Sequence, residues 1–171
     1  MFETISKKVL QEGAFWTLTA EEVKLPNGNV REYHLLNHPG GVGILAIDEK
    51  GRNAMGEYCL EIPAGKRDKG PETPIDGARR ELREETGCIA SSMVQLAEIY
   101  PSPGMVTEKL FLFVATGLVA GERELDDDEF IQVMWKRPEE VSRLIQSGEI
   151  KDAKTICAFY LAREKGLISF S

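Results

Sequence analysis

Leu110-Phe-Leu-Phe-Val114 is the segment that most restricts what this chain can fold into. Its apolar residues do not alternate with polar ones, so a strand built from it has to be covered on both faces. Val42-Gly-Ile-Leu-Ala-Ile47 is a second short apolar run of the kind a buried strand carries. Further strands are expected at 93–100, at 109–119 around the first run, at 58–62 up to Pro63, and at 130–135. Residues 14–24 and 30–37, joined by the turn signal Pro26-Asn27-Gly28-Asn29, read as a hairpin. Helices are expected at 74–86, 138–146 and 153–165, the last with Ile156, Phe159 and Tyr160 at core spacing. Strands that surround a few helices imply a mixed sheet between helical layers: an α+β fold of the α/β/α sandwich type with an N-terminal β-hairpin extension. The expected division is 1–38 for the extension and 39–171 for the main domain.

Charge narrows the partners. With 21 basic and 28 acidic side chains the chain carries a net charge of −7, which repels bare nucleic acid and anionic membrane. No stretch approaches the ~20 apolar residues of a membrane helix, and the start lacks the apolar core of a secretory signal, so a cytoplasmic location is expected. Cys59, Cys88 and Cys157 are widely spaced and read as reduced packing residues. The only histidines are His34 and His38, so carboxylates are better candidates for chemistry than imidazoles.

The helix over 74–86 is poorly built for stability alone. Thr73 can cap it, Pro74 suits its first position and Gly87 its stop. At 100° per residue, Ile75, Ala78 and Leu82 form a core stripe, and Glu81, Glu84 and Glu85 cluster beside it. Glu81 and Glu85 repel across one turn, and Glu84 and Glu85 sit at the end where the helix dipole disfavours anions. Gly77, on the same side, leaves room for something to approach. One reading is a salt-laced surface helix, with Arg80 paired to Glu84. The other is three carboxylates that hold a hard divalent cation, which would also offset repulsion between an acidic protein and a phosphate substrate.

The spacing around that helix is informative. Gly65-Lys-Arg-Asp-Lys-Gly-Pro-Glu72 is followed by seven residues and then Arg80-Glu-Leu-Arg-Glu-Glu-Thr-Gly-Cys88. This strongly resembles the Nudix box, G-x5-E-x7-R-E-U-x-E-E-x-G-U with U aliphatic. The chain departs from it at Cys88 and in having six residues, not five, between Gly65 and Glu72. Family members also carry another strand, often with a phosphate-binding Arg, where only residues 48–58 are available here. Arg52 standing in, a shortened strand, and a chain that skips residues are the open alternatives. Tyr100-Pro-Ser-Pro-Gly-Met-Val-Thr-Glu108 resembles the downstream signature of the ADP-ribose and nucleotide-sugar pyrophosphatase branch. His38-Pro-Gly40, the acidic 126–129 segment and Gly148-Glu-Ile-Lys-Asp-Ala-Lys-Thr155 also look typical of it.

The resemblance implies a metal-dependent hydrolase acting on nucleoside diphosphate sugars such as ADP-ribose, giving AMP and ribose 5-phosphate in that case. It implies Glu81, Glu84 and Glu85, with the carbonyl of Ala64, as ligands of Mg²⁺ or Mn²⁺. Arg80 is implied to orient Glu84 or the loop, and Glu72 to fix the loop onto the helix. Glu129, Asp127 and Glu108 are the candidates for general base. Gly104 and Met105 would line the substrate loop, and Arg31 and Arg52 would contact substrate, whereas Tyr33 is read as core. A homodimer is implied in which the N-terminal strands help form the partner's site. Two alternatives stand beside this reading: a nucleoside triphosphate house-cleaning enzyme with the same box, and a non-catalytic nucleotide-sensing module.

Overall fold

The computed structural model describes residues 1–48, 59–67, 70–124 and 131–169, with the backbone of 53–55. Its elements in chain order are β1 (Glu3–Glu12), β2 (Thr17–Lys24), β3 (Val30–Asn37), β4 (Gly41–Ala46), β5 (Asn53–Met55), β6 (Ala64–Lys66), α1 (Pro74–Thr86), β7 (Cys88–Ile99), β8 (Leu110–Ala120), β9 (Met134–Lys136), α2 (Pro138–Gln146) and α3 (Ala153–Glu164). They fall into two compact units, Met1–Gly40 with Tyr100–Lys109, and Gly41–Ile99 with Leu110–Ser171.

In the first unit β1, β2 and β3 form an antiparallel sheet in that order. The expected hairpin is therefore a three-stranded sheet. β1 has no sequence signature because all of its residues are exposed, so no apolar alternation is demanded of it. Residues 105–107 run beside β3: the Leu36 N–H donates to the Met105 carbonyl at 2.8 Å, and the Thr107 N–H to the Leu36 carbonyl at 3.0 Å. Tyr33 on β3 is 41% exposed, not part of the core.

Two polar side chains are buried in this sheet, Thr19 and Glu21. Glu21 is 8% exposed, and Lys7 Nζ lies 2.8 Å from its carboxylate. The Lys7 hydrogen bond, stronger here than desolvation, holds the Glu21 carboxyl below its ordinary 4.5. A depressed carboxyl contributes stability above its ordinary pKa that is lost as pH falls through the folded value. Lys7→Met is expected to destabilise the protein at about pH 7 and progressively less as pH drops below 4.5. Urea melts across that range check this, and an equal loss throughout would overturn it.

The second unit holds a mixed sheet in the order β6-β4-β8-β7, with β4 and β8 parallel and the other pairs antiparallel. Central β8 divides its side chains between two cores. Phe113 and Ala115 pack with Val42, Ile44 and Met93 against Ala78 and Leu82 of α1. Leu112 and Val114 pack with Leu45 and Leu96 against Val141 of α2 and Ala158, Phe159 and Ala162 of α3. The sheet thus lies between helical layers, as the unalternated run requires.

Two local expectations need correction. Residues 59–62 are not a strand, and β6 begins beyond Pro63. The Ile62 N–H is taken by the Thr155 hydroxyl at 3.0 Å, and the sheet is met by the Pro63 carbonyl, which accepts from the Ile44 N–H at 2.8 Å. Of the expected 130–135 strand, residues 131–133 are not strand and 130 lies outside the described residues; β9 starts at Met134 and pairs with the three-residue β5, so the short 48–58 stretch does carry a strand. No helix among the described residues is long and apolar enough to cross a membrane.

Candidate active site

Local chemistry fixes α1 at both ends. The Thr73 hydroxyl accepts from the Asp76 N–H at 3.3 Å, Pro74 opens the helix, and Gly87 closes it at φ 68°, its N–H reaching the Arg83 carbonyl. This presentation leaves Glu81 at the edge of the core, only 6% exposed, with Glu84 and Glu85 half-buried beside it.

Two glycines make space for carboxylates. A β-carbon at Gly65 would sit 1.9 Å from the Glu81 carboxylate, and one at Gly77 would sit 2.9 Å from Oε2 of Glu72. The group for which Gly77 leaves room is therefore the Glu72 carboxylate, which loop residues bring back over α1.

Arg80 joins these acids. Its Nε and Nη2 donate to the two oxygens of Glu72 at 3.0 and 3.1 Å, and its Nη1 donates to Oε1 of Glu81 at 2.8 Å and Oε2 of Glu84 at 2.7 Å. The hydrogen bonds to Glu72, followed against desolvation by those to Glu84 and Glu81, raise the guanidinium pKa above its ordinary value. The expected Arg80–Glu84 pair is present, but it is one edge of a network that is too buried to be a surface salt lattice. Glu85 faces another neighbour: its Oε2 accepts from the Ala64 N–H of β6 at 3.1 Å.

Two further arginines stabilise the surroundings and were not singled out from the sequence. Arg67 Nη2 donates to the Glu72 carbonyl at 3.1 Å, and its guanidinium lies 5.2 Å from the centre of the Phe111 ring. Arg123 Nε donates to the Glu85 carbonyl and its Nη2 to the Ile131 carbonyl, both at 2.6 Å. The basic pair Lys66-Arg67 directly after Gly65 is the available signal for the first; Arg123 has none, because its partners are distant in sequence.

Four of the other candidates belong to the first unit. In the first unit Arg31 is exposed on β3, and Gly104 and Met105 occupy a turn in which the Met105 and Val106 N–H groups donate to the Ser102 carbonyl. In the same unit Glu108 Oε1 is 3.4 Å from His38 Nδ1. Arg52, Asp127 and Glu129 lie outside the described residues.

The family model described as "NUDIX domain" matches residues 20–159. The chain belongs to the Nudix hydrolase family. It is 39% identical over 176 residues to the ADP-ribose pyrophosphatase of Bacillus subtilis strain 168, covering 96% of this chain and 95% of that one. It is 35% identical over 176 residues to the methanol dehydrogenase activator of Bacillus methanolicus, with the same coverage of 96% and 95%. A crystal structure of an ADP compounds hydrolase aligns with a TM-score of 0.83 over 97% of this chain and 95% of that one; at 22% identity this likeness speaks for the fold.

Among the described residues of this Nudix hydrolase, no three acidic, histidine or cysteine side chains converge into a ready cation site. Arg80 instead holds oxygens of both Glu81 and Glu84. The donor set nevertheless fits a hard divalent cation: three carboxylates on little more than one helical turn, with Ala64 against the third. A cation entering here competes with a guanidinium and a backbone N–H for carboxylate oxygens.

The crowding at Gly65 yields a direct test. Gly65→Ala is expected to displace the Glu81 carboxylate and lower the turnover of this Nudix hydrolase about 10- to 100-fold, the usual loss when a supporting contact of a ligand is removed. Turnover measured alongside circular dichroism checks it, and full activity in a folded variant would overturn it.

Proposed function

We propose that this Nudix hydrolase cleaves the diphosphate bond of nucleoside diphosphate sugars, with ADP-ribose as its leading substrate and AMP and ribose 5-phosphate as the products. The observation that carries this reading is that the box carboxylates Glu81, Glu84 and Glu85 gather on one face of α1. It is supported by nearly full-length likeness to a protein named ADP-ribose pyrophosphatase.

In this reading Glu81, Glu84 and Glu85, with the Ala64 carbonyl, hold Mg²⁺ or Mn²⁺. When bound, the metal supplies charge neutralisation on the diphosphate oxygens and a more acidic water. Arg80 sets the carboxylates for that purpose and keeps Glu72 over α1. One of Glu108, Asp127 and Glu129 takes the proton of the attacking water. Gly104 and Met105 line the substrate loop, and Arg31 and Arg52 contact the substrate.

The reading extends to a cytoplasmic homodimer in which residues 1–38 are the extension and 39–171 the Nudix hydrolase domain. The exposed apolar side chains of β1 and its flank, Phe2, Ile5, Val9 and Leu10, support a partner on that strand. A net charge of −7 argues against nucleic acid or membrane as partner.

The test is phosphate-coupled turnover of ADP-ribose, GDP-mannose, UDP-glucose and a deoxynucleoside triphosphate panel, with Mg²⁺ and with EDTA. Metal-dependent cleavage of a diphosphate sugar, strongest on ADP-ribose, is expected. Activity on the triphosphates alone would replace this reading by the house-cleaning one. Silence across the panel, with tight nucleotide binding, would make the chain a sensing module.

A further inference from the structure

The carboxylate site is tied to a part of the fold on the other side of the sheet. Ile62 is fully buried at 0% exposure, and its N–H has left the sheet. It donates to the hydroxyl of Thr155, also 0% exposed, at 3.0 Å across 93 residues of chain. That hydroxyl donates in turn to Oδ2 of Asp152 at 2.6 Å, while the Thr155 N–H donates to the same oxygen at 2.9 Å as the cap of α3. Asp152 therefore does two things: it starts the helix and orients the hydroxyl toward Ile62.

A second fastening lies beside the first. The Lys154 ammonium bonds Glu61, the residue before Ile62, and Asp152 at 3.1 Å. Burial pulls its pKa down, but the hydrogen bond and charge of Glu61 and the charge of Asp152 outweigh this and hold it above the ordinary lysine value. Gly43 on β4 gives the Ile62 side chain room, since a β-carbon there would lie 3.3 Å from Ile62 Cδ1.

The fastened segment leads straight into the site. Pro63 follows, its carbonyl held by the Ile44 N–H, and then Ala64, whose N–H is the hydrogen-bond donor to Glu85. From Ala64 on, the segment is β6, whose pairing with β4 sets Ala64 against Gly43. Held also at Glu61 and Ile62, it delivers the Ala64 N–H at one fixed angle to Glu85.

We propose that Thr155 is a positioning residue for the carboxylate site: its hydroxyl fixes Ile62 and, through Pro63 and Ala64, the orientation of Glu85. The kinetic consequence rests on the hydrolase reading above, whereas the structural consequence does not.

Thr155→Val keeps the shape and removes the hydroxyl, Thr155→Ser keeps the hydroxyl, and Glu61→Gln weakens the lysine clamp without orphaning a buried amide. Amide hydrogen exchange on the full chain provides the substrate-independent measurement. In Thr155→Val the protection of Ala64 is expected to fall about fivefold or more, the loss of roughly one hydrogen bond, with Thr155→Ser near the parent and Glu61→Gln between. On ADP-ribose with Mg²⁺, Thr155→Val is expected to lower kcat about tenfold with KM little changed, and Thr155→Ser to recover it. Unchanged Ala64 protection in a folded Thr155→Val protein would overturn the proposal, as would lost protection in Thr155→Ser. If the parent hydrolyses no diphosphate sugar, the functional reading fails, and the Ala64 exchange still decides the positioning claim.

Discussion

Glu85→Gln is expected to lower kcat on ADP-ribose about 100- to 1,000-fold, the cost of roughly 3–4 kcal/mol of lost transition-state stabilisation. The substitution removes charge and little else. Glutamine presents a carbonyl oxygen that can still accept from the Ala64 N–H, now 3.1 Å from Oε2, so the contact between β6 and α1 survives. Stability should hold or rise slightly, because one of three clustered anions at the unfavourable end of a helix is gone. Half-saturating Mg²⁺ should rise together with the loss of kcat. A variant that is as active as the parent would remove Glu85 from the metal site. A variant that binds nucleotide normally, beside an equally inactive parent, would favour the sensing module.

Arg80→Met is expected to act first on the fold. One guanidinium, 18% exposed, faces carboxylates from Glu72, Glu81 and Glu84. Removing it leaves three anions facing one another without their cation. Breaking a fully buried ion pair costs about 3–5 kcal/mol; residual solvent at this site reduces that to about 3 kcal/mol. For a chain of this size the melting midpoint should drop by roughly 6–12 °C. Mg²⁺ should restore part of the loss, and should raise the midpoint of the variant more than that of the parent, because the cation no longer competes with Arg80. Thermal melts with and without Mg²⁺ check both statements. A midpoint within a degree or two of the parent would show that the network adds nothing net.

Legibility followed the range of the interactions. α1 was readable from Pro74 to Thr86 because its caps act within a single turn and its apolar stripe repeats at helical spacing. The double-sided burial of β8 was readable because no polar residue interrupts Leu110–Val114. Where partners are distant, local pattern misleads. Residues 59–62 look like a strand in composition, yet the Ile62 N–H is claimed by a hydroxyl on α3. β1 carries no local signal because an exposed strand needs neither alternation nor apolar content. Arg123 was missed because its role lies in two carbonyls contributed by other elements.

The sequence by itself determined which groups this protein brings to its chemistry: box carboxylates at fixed helical spacing on a doubly capped helix, in a chain acidic enough that a phosphate substrate calls for a countercharge. Tertiary structure alone decided how those groups are held. It placed the Glu81 carboxylate against Gly65, turned Glu85 toward Ala64, and closed Arg80 on three acids at once. Spacing along a helix is set by backbone geometry and can be counted from residue numbers. The approach of a loop or strand to that helix is set by core packing and by hydrogen bonds between distant residues, which no local pattern encodes.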